Sequence, residues 1–85
     1  MLDRASRIDH LERTVERYRR DLGLMTGTLV PTRLNIDDLA IMDRYASSDD
    51  QQGLINDRIL RIKTLEAMLH LLRENHGGGV YRTVR

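Results

Sequence analysis

Apolar residues recur near the start of the chain at Ile8, Leu11, Val15, Tyr18, Leu22 and Met25, spaced alternately three and four apart. That spacing is the a/d seam of a heptad pattern and predicts a helix over about residues 5–22. Between Ile8 and Leu22 every position off the seam is polar, so the helix is a charged rod with one narrow stripe that calls for a partner helix. Ser6 with Asp9 three residues on reads as a capping box, Asp standing in for the usual Glu. Asp9–Arg13, Glu16–Arg20 and Arg17–Asp21 are opposite charges at i,i+4, each worth roughly 0.2–0.5 kcal/mol. Gly23 reads as the helix stop, with Met25 beyond it.

Residues 23–34 hold Gly23, Gly27 and the only proline, Pro31, which break any helix. The stretch is still apolar at Leu24, Met25, Leu29 and Val30, and reads as a loop folded against the body. A second helix then opens on strong local signals over 36–47. Asn35 is the expected N-cap, Asp38 sits three residues in, and Leu34 with Leu39 has the spacing of a hydrophobic staple. Asp37 and Asp38 lie where the helix dipole favours negative charge. Ile36, Leu39, Met42 and Tyr45, with Ala46 beside them, are read as the buried face.

The third predicted helix, 51–76, is the longest, with Ser48 and Gln51 or Ser47 and Asp50 able to cap it. Ile55, Ile59, Ile62, Leu69 and Leu72 form its main stripe. Leu54, Leu65, Met68 and Leu71 widen that stripe, and Leu60 lies further round. So broad an arc predicts contact with two neighbours. Asn75-His76 before Gly77-Gly78-Gly79 is a strong stop. The remaining Val80-Tyr81-Arg82-Thr83-Val84-Arg85 alternates and reads as a flexible basic tail. The domain reading is one helical unit over 1–79 and a tail over 80–85.

Composition sharpens this picture. Eighty-five residues make one domain, and a chain this short buries only about 60–65% of its unfolded surface. Cysteine, Phe and Trp are absent, and the aromatics are Tyr18, Tyr45 and Tyr81. Neither disulfides nor zinc thiolates can compensate, and Leu, Ile, Val and Met must supply the core. Chains of this kind complete their cores by oligomerising, which is the first argument for self-association. The net charge is +1, which gives no general attraction to nucleic acid or acidic membrane. The signs are nonetheless arranged basic, acidic, basic along the chain. No run approaches the roughly 20 apolar residues of a membrane span, and the N-terminus lacks the apolar core of a signal peptide. A cytoplasmic location is the expectation.

Little in the sequence carries reaction chemistry. His70 and His76 are six apart and face different ways, and His10 lies off the seam of another helix, so no metal is expected. Serines occur only at 6, 47 and 48, all at capping positions, which argues against a Ser-His-Asp arrangement. The glycines at 77–79 end a helix and do not open one, so they cannot cradle a phosphate. Neither catalytic, cofactor-binding nor metal-ligating residues are assigned. Arg17, Arg19 and Arg20, with Arg58, Arg61 and Lys63, are the candidate nucleic-acid contacts. Asp21, Glu16, Asp57 and Glu66 stand beside them, so a solvated charged face is the stronger reading.

Two short stretches resemble three known families. Arg7-Ile8-Asp9-His10-Leu11-Glu12 resembles the start of the first helix of the short all-α chorismate mutases. That resemblance implies several Arg, a Lys and a Gln or Glu converging on a dicarboxylate. Here the only lysine, Lys63, lies in the third helix, where that family does not place it, and Gln51 and Gln52 sit in a cap. Ile59 to Leu72, with Lys63-Thr64-Leu65-Glu66-Ala67-Met68-Leu69, is similar to the last helix of AriR-type biofilm and acid-resistance regulators, which are all-α dimers linked to DNA regulation. It is equally similar to the second helix of the small co-chaperones of type III secretion needle subunits, which are helical hairpins. Each resemblance covers under a quarter of the chain, and none identifies it.

The expected architecture is therefore all-α: a three-helix antiparallel bundle, or helical hairpin with a short middle helix. The first and third helices pack against each other and the second caps them. The seam of the first helix or the leftover arc of the third then pairs across a two-fold axis in a homodimer. The candidate interface residues are Ile8, Leu11, Val15, Tyr18 and Leu22 on the first helix and Ile55, Ile59, Ile62, Leu65, Met68, Leu69 and Leu72 on the third. The expected function is that of a non-enzymatic adaptor or regulator that binds itself and a larger protein. The main alternative is a small nucleic-acid-associated regulator.

Overall fold

The first helix, α1, spans Arg4–Thr26 and runs straight through Gly23. Its N-cap is Asp3, whose carboxylate accepts from the Ser6 backbone N–H at 2.7 Å. Ser6 and Asp9 are therefore inside the helix and do not form the expected box. Gly27 ends the helix at φ 76°, a left-handed conformation that glycine adopts without strain. Gly23 serves a different purpose. The returning chain crosses directly over it: the Thr28 and Leu29 N–H groups donate to its carbonyl at 3.0 and 3.1 Å. A Cβ at Gly23 would stand 2.8 Å from that of Leu29. Met25, expected beyond the helix, is buried within it beside Leu24.

The second helix, α2, spans Ile36–Ala46 and has the predicted capping box, in which Asn35 and Asp38 each accept from the other's backbone N–H. The third, α3, spans Gln51–His76. Its cap is Asp50 itself, which accepts from the Gly53 N–H at 2.9 Å. Ser48 acts one step earlier, accepting from the Asp50 N–H at 3.0 Å. This structure, a computed structural model, describes residues 3–76. The glycine stop at 77–79, the tail at 80–85 and the domain boundary between them lie outside the described residues.

α1 and α3 pack antiparallel: Glu12 pairs with Arg73, Arg19 with Glu66 and Asp21 with Arg58, so position falls along α3 as it rises along α1. Their shared core is Val15, Ile62 and Leu69, with Ile8, Leu11, Tyr18, Leu22 and Leu65 against it. A second small core, Leu24, Met25 and Ile41, joins the end of α1 to α2 and to Leu54 and Ile55 at the start of α3. α2 thus caps one end of a hairpin. The result is a rod of 50 × 24 × 24 Å.

One predicted face is overturned. The apolar residues expected to bury α2 point outward: Ile36 is 81% exposed and Leu39 53%, and Met42 is exposed as well. The helix rests instead on Ile41, half-buried Tyr45 and Asp38, which is 0% exposed. Leu34 and Leu39, the expected staple, are both exposed. The physical reason lies in what α1 offers to meet α2, namely two arginines.

Candidate functional site

Arg17 and Arg20 lie three residues apart on α1 and both reach α2. Arg20 grips Asp38 with two parallel bonds, Nε to Oδ1 and Nη2 to Oδ2, each 2.8 Å. This is the fork geometry for which guanidinium and carboxylate are matched. Arg17 Nη2 reaches the same Oδ1 at 2.8 Å, while its Nε donates to Asp21 Oδ1 at 2.7 Å. Asp21, also buried, accepts from Arg58 Nε of α3 at 3.1 Å. The Arg58 guanidinium lies 4.9 Å from the centre of the Tyr18 ring, a cation–π contact. Alternating charges thus tie all three helices together: Asp38 to Arg17, Arg17 to Asp21, Asp21 to Arg58. The Arg20 guanidinium, against the cost of burial and aided by the Asn35 N–H and Arg17, holds the Asp38 carboxyl well below the usual carboxylate range.

With Asp38 facing inward, Ile36, Leu39 and Met42 stand on the outer side of α2, and Val30 and Leu34 of the preceding loop are exposed too. This leaves an apolar surface on α2 that the core does not use.

The two edges of the α1–α3 seam differ. One carries the Glu12–Arg73 and Arg19–Glu66 pairs, which span a charged groove of about 620 Å³. The other carries the Asp21–Arg58 pair at its α2 end, with the Arg58 guanidinium over Tyr18. It also holds two depressions in line. A groove of about 410 Å³ is lined by Arg7, His10, Leu11, Met68, Leu71 and Leu72. The other, about 430 Å³, lies further along between Tyr18 and Thr14 on one side and Leu60, Thr64 and Leu65 on the other, with Asp57 and Arg61 at its rim. Leu60 is 65% exposed and Leu71 61%.

These positions sort the residues singled out from the sequence. Ile8, Leu11, Val15, Tyr18 and Leu22 are spent inside the chain against Ile62, Leu65 and Leu69. The seam of the first helix therefore does not remain free to pair across a two-fold axis. Ile55 belongs to the second core, Ile59 and Leu72 are half-buried, and Met68 is exposed. Of the candidate nucleic-acid contacts, Arg17, Arg20 and Arg58 face the charged junction, Arg19 meets Glu66 and Arg61 meets Asp57 at 2.7 Å. Lys63 is exposed. Arg20 was expected beside Glu16 and goes to Asp38 instead. The sequence marks Asp38 only as a helix-capping residue, and nothing local in it announces the two arginine partners. No cluster of metal-ligating side chains occurs among the described residues, and no described helix is long and apolar enough to cross a membrane. The chain matches no protein-family model, no curated protein and no solved structure.

Proposed function

We propose that this chain is a non-enzymatic adaptor or regulator that works in the cytoplasm as a homodimer and engages a larger protein through helix-on-helix contacts. The observation that carries the reading is the orientation of α2, which holds Asp38 inside and leaves Ile36, Leu39 and Met42 outside. Burying a charge is costly unless it is paired and hydrogen-bonded. A helix serving only to cover a core would bury its leucine and solvate its aspartate. Here the reverse orientation is stabilised by two arginines and a capping box, and an apolar strip is left facing water. Contiguous exposed apolar surface on a small protein marks an interaction site, and a helix laid along a partner's groove is a common way to use one.

The test replaces the strip without touching the core, by Ile36→Gln, Leu39→Gln and Met42→Gln together. The variant is expected to keep its helical circular dichroism and its melting temperature while losing salt-resistant co-purification with one host protein. Retention of that protein by the variant would overturn the reading. So would binding by the native chain that fades with salt and follows DNA, which would point to a nucleic-acid-associated regulator.

A further inference from the structure

We infer that the apolar edge of the α1–α3 seam receives α3 of a second copy, antiparallel, so that two hairpins form one four-helix bundle. This rests on the homodimer reading above and specifies its surface. Leu60 and Thr64 line one depression of that edge and Leu71 the other, and with Ala67 they follow one another along α3 at spacings of four, three and four. That is a second a/d seam, and all four are exposed. Small residues occupy its middle and leucines its ends. The order is self-complementary about a point between residues 65 and 66: reversed, it sets Leu60 against Leu71 of the second copy and Thr64 against Ala67. Isologous pairing requires such palindromic placement, and an interface with a partner of unrelated sequence does not.

The neighbouring groove agrees. Its two depressions lie at the levels of Leu71 and Leu60, so the antiparallel copy delivers Leu60 to the first and Leu71 to the second. The rims favour the same sense. Arg7 and His10 edge the depression at Leu71, and the Asp57–Arg61 ion pair edges the one at Leu60. Antiparallel packing sets Arg7 and His10 against that neutral pair of the second copy, whereas parallel packing brings Arg7 and His10 beside their own copies. The ion pairs on the opposite edge close that side and leave this one as the entry.

The chain has no cysteine, so single cysteines report the register. Leu60→Cys and Leu71→Cys are made separately; both sites are exposed, and circular dichroism checks that the fold survives. In the inferred register identical positions lie eleven residues apart along the helix, ~16 Å, beyond the roughly 7 Å that a disulfide can span. Neither variant alone is expected to cross-link under mild oxidation, while a mixture of the two gives a disulfide-linked dimer. As a second measurement, Ala67→Glu at the centre of the seam is expected to halve the mass in sedimentation with helicity unchanged. Self-cross-linking by either single variant would overturn the register. A native chain of dimer mass whose Leu39→Cys variant cross-links, while the mixture does not, would overturn this surface and leave the homodimer standing. A native chain of monomer mass with no cross-link in any sample would overturn both.

Discussion

Asp38 is the residue on which the arrangement of α2 turns. Its capping role is legible in the sequence, since Asn35 with an acid three residues on is a local signal, and the capping box is present. Its burial is not legible, because Arg17 and Arg20 reach it across an irregular loop. Asp38→Asn separates the two roles: an asparagine oxygen can still accept from the Asn35 N–H, but the variant leaves two inward-facing guanidinium groups short of their anion. Removing one partner of a buried ion pair is strongly destabilising. The melting temperature of the variant at pH 7 is expected to fall by about 10–20 °C. The pH dependence has a definite sign. The folded-state pKa of Asp38 is depressed, so its stabilisation is fully present above the ordinary carboxylate value of about 3.9. It is lost as pH falls below that value toward the folded one. Thermal melts from pH 7 to 2 should show the native chain losing stability below about pH 4 more steeply than the variant. Equal melting temperatures at pH 7 would mean that the ion pairs contribute nothing net.

At the scale of elements, α1 and α3 were readable because each carries a long periodic stripe, and periodicity over many turns outweighs local noise. Val15, Ile62 and Leu69 lie where the pattern puts them. The eleven-residue α2 offers too few turns for the same argument, and there ion pairing with α1 overrode hydrophobicity. The end of α1 is not legible in the sequence for a related reason. A glycine late in a helix signals either a stop or a close approach, and sequence does not separate these. At Gly23 it is a close approach, forced by the chain that turns at Gly27 and crosses back at Leu29. Gly23→Ala therefore sets two effects against each other. Alanine is favoured over glycine within a helix by about 1 kcal/mol. The added Cβ would sit 2.8 Å from the Leu29 Cβ, an atom fixed to the backbone, and overpacking of this kind costs about 1–3 kcal/mol. The expected outcome is a net loss of stability in denaturant titration, with the midpoint shifted down. A raised midpoint would show that the loop at Leu29 yields freely.

For the whole molecule, shape sets the energetic problem. A compact chain of this length has a radius of gyration of about 12 Å, whereas this one has 16.4 Å. The rod divides its buried side chains between two small cores, one along the α1–α3 seam and one under α2, and leaves leucines on the outer sides of both α2 and α3. A fold so sparingly buried gains from any contact that covers those leucines. If two copies do so through α3, folding and association are linked, and melting must depend on concentration. The size of the effect follows from the unfolding enthalpy. At about 0.7 kcal/mol per residue over two chains, a tenfold rise in concentration raises the melting temperature by about 4 °C. Scanning calorimetry across two decades of concentration should show that slope in the native chain. Ala67→Glu should abolish it without altering the helices, because residue 67 touches neither core. The α2 triple variant should retain it, because Ile36, Leu39 and Met42 lie on a different surface. A slope carried instead by the α2 residues would move the self-association to that helix and free the α3 seam for another partner.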